Sequence, residues 1–403
     1  MPKPLNNMQL SLMLAAIISV IPFAIDAYLP ALATMAEDLG YSLHQLELTI
    51  SSFFVGYALG SLIGGPLSDH YGRRNMGVLG LALFFLTSIA MSASESYQGL
   101  LILRFVQAVG GGITTVVVPA IVRDRFERQE AAKVMTTIAF IMMAAPLSAP
   151  VIGSLILSFW GWRAIFVFLA VYAAALLILA KAYLPQSRDP AKPLPPFSWQ
   201  GTLQNYRSVF THAQARPYFI ASICSSAIFL SYLTQAAYLL NEYLGLSAVQ
   251  FPMVFSGFVV CLMIANRSNA YLLRHWDSRQ VFVWGIRLTA LFTSALLLAS
   301  VVAPPASVWV AAGVLLVISS LGLISSNSQS NYLHFFASLS GTASSLLKAL
   351  EMTIGAMAGA LISALYNGTP IPLAAVMFGA SSLAFIVVWR AGIHLELKLE
   401  SKS

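Results

Sequence analysis

Apolar residues fall along this chain in long blocks rather than in alternation. Stretches of roughly 20 residues or more run over Met8–Leu32, Leu46–Leu67, Asn75–Ala93, Leu100–Val122, Ala132–Phe159, Arg163–Leu184, Pro217–Leu240, Gln250–Leu273, Gln280–Val302, Val308–Ser330, Gly341–Tyr366 and Pro370–Arg390, with short polar connections between them. A helix needs about 20 mostly apolar residues to cross a bilayer, so the pattern predicts an all-α integral membrane protein with twelve transmembrane helices. The longest polar stretch, LPQSRDPAKPLPPFSWQGTLQNYRSVFTHAQAR, separates six spans from six. Its prolines Pro185, Pro190, Pro193, Pro195 and Pro196 predict an extended linker. The expected organisation is a six-helix bundle over 1–184, a cytoplasmic linker over 185–216 and a second six-helix bundle over 217–403. SDHYGRRN after the second span and LLRHWDSRQ after the eighth are both basic turns containing an Asp. That echo is the layout of a transporter built from two related halves.

Composition narrows the function. Hydrophobic residues make up 58% of the 403 and charged residues 9%, with a mean hydropathy of +0.78. This leaves no room for a soluble catalytic domain. Neither an H-E-x-x-H nor a G-x-S-x-G segment is present, so a membrane-embedded hydrolase is disfavoured and the chain reads as a non-enzyme. The net charge of +7 comes from basic residues scattered between apolar segments, which argues against nucleic-acid binding. Lys3, Arg73, Arg74, Arg123, Arg125, Arg128, Lys133, Lys181, Arg188, Lys192, Arg207, Arg216, Arg274, Arg279, Arg390, Lys398 and Lys402 occupy alternate connections or the ends of the chain. The opposite connections hold Glu37, Asp38, Glu47, Glu95 and Glu242. By the positive-inside rule both termini face the cytoplasm. The apolar run after Lys3 continues to Pro30 and is expected to be the first span rather than a removed signal. Cys224 and Cys261 lie in apolar stretches with no spacing for a disulfide or a metal.

Several segments carry chemistry. In IDAYLPAL, Asp26 lies within the first span just before Pro30. A carboxyl group in low dielectric can hold a proton near neutral pH and release it when the site hydrates or a cation approaches; a capping or exposed Asp at the periplasmic rim is the other reading. In GGPLSDHYGRR, Gly64 and Gly65 permit close helix approach, and Asp69 with Arg73 and Arg74 can form a charge network that locks one conformation. A basic turn that only fixes topology is the alternative. In LILRFVQAVGGG, Arg104 and Gln107 sit one turn apart inside the fourth span, where Arg104 either finds a polar partner or snorkels to the headgroups. In APLSAPVIGS, prolines and small residues predict a kinked fifth helix. Lys348 and Glu351, three apart in the eleventh span, can share a helix face as an internal ion pair or meet cargo.

In this order, and with WGWRAIF following the fifth-span segment, these motifs resemble the major facilitator superfamily, and within it the Bcr/CflA type of drug:proton antiporter, over essentially the whole chain. The chain departs from that pattern at Ala108, Ala149 and Ser154, where glycines are expected, and at Lys348 and Glu351, where small or neutral residues are expected. The resemblance implies a major facilitator fold and proton-coupled efflux of small molecules, of the multidrug or chloramphenicol-resistance kind, by alternating access across the bacterial inner membrane. It implies proton coupling through Asp26 and Arg104, to which Glu351, a departure from the pattern, is added as a second acid within the spans. The substrate cavity would be lined from Tyr28, Gln107, Tyr232, Gln235, Asn327 and Lys348, and the conformational switch formed by Gly65, Asp69, Gly72, Arg73, Arg74, Pro150 and Gly153. Polar groups of the seventh and tenth spans have a second reading, as hydrogen-bond partners between helices. No cofactor or metal is expected beyond the proton gradient; the partners are cargo, protons and lipid, and the chain is expected to act as a monomer. Within the spans, Asp26 and Glu351 stand against Arg104, Arg267, Arg287 and Lys348, and this positive excess favours neutral or anionic cargo. Export of an endogenous carboxylate such as a siderophore is therefore the alternative, and a non-transporting receptor a further one.

Overall fold

The computed structural model describes residues 6–126, 128–185, 199–247, 250–302, 308–336 and 339–392. Lys3, Arg188, Lys192, Lys398, Lys402 and Pro190, Pro193, Pro195 and Pro196 lie outside the described residues. The chain divides into two compact units, Met1–Thr202 and Leu203–Ser403.

In the first unit, α1 (Asn7–Asp26) begins at a capping box of Asn6 and Gln9 and breaks after Asp26. A 3-10 turn, Leu29–Ala31, follows, with Pro30 in its first positions, and then α2 (Leu32–Leu39) completes the span. The break follows from covalent structure: Pro30 has no N–H to give to an α-helical ladder. The remaining helices are α3 (Leu43–Tyr71), α4 (Arg73–Ser92), α5 (Tyr97–Arg125), α6 (Arg128–Trp160) and α7 (Arg163–Tyr183). A capping box of Ser42 and Gln45 starts α3. Gly72, at φ 95°, both ends α3 and starts α4, a conformation that side-chain-bearing residues rarely adopt. Glycines four apart on α3, Gly56, Gly60 and Gly64, set its backbone against Phe105, Val109 and Ile113 of α5. This is the close packing that membrane helices use in place of a hydrophobic driving force.

The boundary between the units falls within α8 (Trp199–Phe210), a helix inside the stretch expected to be extended. The last proline before it is Pro196, and the segment beyond is free to coil. Tyr206 of α8 pairs with Ser345 at 3.4 Å, and Phe210 packs edge-on against Phe219, anchoring the helix to the bundle. Then come α9 (Arg216–Ala237) with a π turn at Tyr238–Tyr243, α10 (Gln250–Leu272), α11 (Ser278–Val302), α12 (Val308–Ser320), a 3-10 turn at Leu321–Leu323, α13 (Ser325–His334), α14 (Ser340–Ala364) and α15 (Ile371–Arg390). Hydroxyl and amide pairs staple these helices: Thr289 to Ser320 at 2.7 Å, Thr293 to Ser381 at 2.6 Å, Asn327 to Asn269 at 2.7 Å and Asn331 to Ser278 at 2.9 Å.

Among the described residues eleven helical stretches are long and apolar enough to cross a membrane, with α1 to α2 and α12 to α13 each counting once; Ala144–Trp160, inside α6, is a shorter apolar one. The described residues thus form the twelve-helix arrangement that the block pattern predicts.

Candidate functional site

The break in span one fixes the position of Asp26. It is the last residue of α1, 4% exposed, so it is neither an N-cap nor a solvent-facing rim carboxylate. Among the described residues its carboxyl group has no hydrogen bond and no ion pair. The turn beside it is clamped from α6: a Cβ on Gly153 would strike the backbone carbonyl of Ala27, with the Ala27 carbon and Cα at 2.7 and 2.8 Å. The fifth span, which contains Pro146 and Pro150, therefore packs directly against the residue after Asp26.

Arg104 is fully enclosed and does not snorkel. One nitrogen donates to the Ala24 carbonyl at 3.1 Å and to Gln107 Oε1 at 2.9 Å. Ala24 lies in the last turn of α1, where helix carbonyls run short of intrahelical donors. The guanidinium stacks between the rings of Tyr28 and Phe53, with its carbon 4.4 and 4.6 Å from their centroids. Gln107 in turn donates to Ser88 at 2.8 Å, and the Tyr28 hydroxyl pairs with Thr49 at 2.7 Å. The Arg104 Nε and Nη2 atoms have no hydrogen-bond partner. Ala108, which replaces an expected glycine, is accommodated because the facing residue on α3 is Gly56.

Asp69 and Arg73 do form a charge network, and Arg74 lies outside it. Asp69 and Ser68 both engage Arg73, which also reaches Asp124 of α5 at 3.4 Å, and Arg74 donates to the Lys181 carbonyl on α7. Arg73 is 9% exposed, more enclosed than a residue that only sets topology. Gly64 makes the close approach expected here, whereas a Cβ on Gly65 would meet open space. Gly65 is not a packing glycine.

In the second unit Glu351 of α14 is buried. It accepts from Ser222 of α9 at 2.7 Å and pairs with Lys348, 3.4 Å away and 49% exposed. The internal ion pair is thus present, with a hydroxyl as an additional partner. Tyr232 stacks on Phe258 and Phe255, Gln235 reaches Ser363 at 3.5 Å, and Asn327 bonds Asn269. All three are at most 2% exposed, as are Tyr28 and Gln107. Of the residues expected to line a cavity, only Lys348 is substantially open; the others are held between helices of their own unit.

Three residues were not singled out by sequence. Glu47, expected in a connection, is fully buried in α3 and pairs with His44 at 3.0 Å. It adds an acid to the charges within the spans and reduces their positive excess. Asp124 completes the Arg73 network. Asp38, at the end of α2, accepts from Trp162 at 2.9 Å and from Arg163 at 2.7 Å, which gives the WGWR segment a physical task. No cluster of three or more His, Cys, Asp or Glu that could hold a metal ion occurs among the described residues.

The family model for the Major Facilitator Superfamily matches residues 12–360. Similar proteins include a bicyclomycin resistance protein homolog of Haemophilus influenzae, 28% identical over 87% of this chain and 88% of that protein. Multidrug resistance protein D of Escherichia coli is 27% identical over 63% of each chain. Among solved structures, a D-xylose-proton symporter superposes with a TM-score of 0.69 at 15% identity, covering 94% of this chain and 97% of that one. The nucleoside transporter NupG gives 0.71 at 14% identity, covering 95% and 98%. At such identities these two structures speak to the fold alone.

Proposed function

Since the chain belongs to the Major Facilitator Superfamily, we propose that it is a transporter, not an enzyme, that exports drug-like small molecules from the cytoplasm in exchange for protons. The observation that carries the reading is Asp26. A buried carboxyl group with no cation beside it has a proton as its remaining means of neutralisation. Arg104, the cation of the same unit, is engaged by Ala24, Gln107 and two aromatic rings. Asp26 thus carries the proton, and Arg104 holds the end of α1 in place. Glu351, with Ser222, is the acid of the second unit. The two six-helix halves alternate access, with the Asp69, Arg73 and Asp124 network and the contact of Gly153 on Ala27 tied to the change. Lys348, the open member of the predicted cavity set, contacts cargo. The work is done by the proton gradient without a cofactor, by a monomer in the inner membrane with both termini in the cytoplasm.

Drug efflux is preferred to export of a carboxylate metabolite. That alternative rests on a positive excess, and the buried Glu47, an acid not counted in it, reduces it. The names of the relatives point the same way. Transport into inverted membrane vesicles under an imposed pH gradient, with cationic, neutral and carboxylate compounds, tests the reading. Wild type should take up cationic or neutral compounds, and Asp26→Asn should lose gradient-driven uptake while keeping counterflow. Full gradient-driven uptake by Asp26→Asn would remove Asp26 from the mechanism, and uptake confined to carboxylates would favour the metabolite reading.

A further inference from the structure

A groove of about 420 Å³ lies at the end of α10, lined by Arg267, Ser268, Ala270, Tyr271, Leu272 and Arg274. Arg267, Tyr271 and Arg274 follow at i, i+4 and i+7, so they share one side of the helix as it runs into its terminal turn. Arg267 is five residues before the last helical residue, Leu272, roughly 7 Å along the axis. That is the depth of a lipid headgroup rather than of the hydrocarbon. Neither Arg267 nor Arg274 has a hydrogen bond or an ion pair among the described residues. The one acid in the turn, Asp277, is used by its own backbone, accepting from the Arg279 amide at 2.7 Å.

The surroundings of the groove are apolar. Towards the middle of the span the same side of α10 continues with Ile264 and Val260, 60% and 42% exposed, an uncovered strip suited to an acyl chain. Tyr271 of the lining is exposed, exposed Trp276 follows Arg274 by two residues, and its ring lies 6.5 Å from that of exposed Trp284, over which Arg287 sits at 5.3 Å. Aromatic rings with a polar edge collect at the headgroup level of a bilayer. Two unpaired guanidinium groups at that level, above an apolar strip, match a phosphodiester with a hydrocarbon tail better than a soluble anion, which would leave the strip bare.

We propose that this groove binds an anionic phospholipid, its phosphate held by Arg267 and Arg274 and its acyl chain lying along Ile264 and Val260. The site is separate from Asp26 and does not depend on what the protein exports.

The test is native mass spectrometry of the purified full-length protein, titrated in detergent with phosphatidylglycerol or with phosphatidylcholine. Wild type should retain the former in preference to the latter. Arg267→Ala combined with Arg274→Ala should weaken phosphatidylglycerol retention by roughly 30-fold, from about 1 kcal/mol for each interfacial cation. Both side chains are exposed, so the melting temperature should not change, and Arg267→Lys with Arg274→Lys should recover most of the binding because a headgroup is held by charge. Equal retention of the two lipids, or undiminished phosphatidylglycerol on the alanine variant, overturns the proposal. Displacement of the lipid by inorganic phosphate would also overturn it, by assigning the groove to a soluble anion.

Discussion

Ser222 should matter more to the stability of the second unit than Lys348, although Lys348 carries the charge. The Ser222 hydroxyl donates to Glu351 over 2.7 Å, and Glu351 is 8% exposed. A buried hydrogen bond to a charged group contributes about 1.5–3 kcal/mol, so Ser222→Ala should cost an amount in that range. Lys348 is longer-range, at 3.4 Å, and half in solvent. Coulomb's law at that distance gives about 5 kcal/mol at an effective dielectric of 20 and about 1 kcal/mol in water. With one partner half-solvated and a flexible stem to order, the net is about 0.2–1 kcal/mol. Lys348→Ala should therefore cost less than Ser222→Ala by roughly 1 kcal/mol. The measurement is reversible unfolding of the purified variants in mixed micelles, closed as a double-mutant cycle with Glu351→Ala. In the Glu351→Ala background, Ser222→Ala should be almost without effect, because the hydroxyl has lost its acceptor. A larger loss from Lys348→Ala, or a Ser222→Ala cost that persists without Glu351, would refute the account of how the two helices are joined.

Other outcomes follow from geometry already described. Gly153→Ala drives a methyl group into the backbone at Ala27; overpacking of this kind costs about 1–3 kcal/mol, and a lowered melting temperature with slowed transport is expected, whereas Gly65→Ala, which meets open space, should leave both unchanged. Asp69→Asn and Asp124→Asn should each slow transport of every compound and alter labelling of cysteines engineered at the cytoplasmic mouth, whereas a change confined to which compounds are carried would point to cargo contact instead. Arg104→Gln should disturb the end of α1 as well as transport, read as faster hydrogen exchange at Ala24 to Leu29; unchanged exchange there would mean that the bond to Ala24 is not what orders the turn.

The spans were legible in the sequence because a bilayer imposes one requirement, a long apolar block, at every crossing. The interruption of span one was announced by Pro30. That of span ten was not, since LGL contains no proline; there Gly322 is packed against Ala265 and Asn266 of α10, a contact between distant segments that local pattern does not record. The π turn at Tyr238–Tyr243 likewise has no local signature. Arg104 and Gln107 could be paired from their spacing, but their partners Ala24 and Ser88 belong to other helices. Glu47 was read as a loop acid because it falls near a block boundary, although His44 one turn before it was the available signal. Asp124 was hidden between Arg123 and Arg125, which read together as a basic connection. Polar residues of the seventh and tenth spans were open to two readings; the bond of Asn327 to Asn269 joins two helices that lie far apart in sequence, which local pattern does not record.

The hydroxyls of the Thr289–Ser320 and Thr293–Ser381 pairs each have an acceptor in their own helix before any helix meets another. Thr289 can donate to Gly285, Thr293 to Thr289, Ser320 to Val317 and Ser381 to Phe378, each within its own helix; a hydroxyl has one proton, so in each pair across helices one partner turns its proton to the other, which keeps its intrahelical bond. A newly made span rich in serine and threonine can thus leave the insertion machinery alone at little cost. The fourth and eleventh spans cannot, because one donor of Arg104, the amide of Gln107 and one oxygen of Glu351 find partners on other helices. Biogenesis should accordingly stall at these two helices, each waiting beside the translocon until α1 and α4, or α9, are there to receive it.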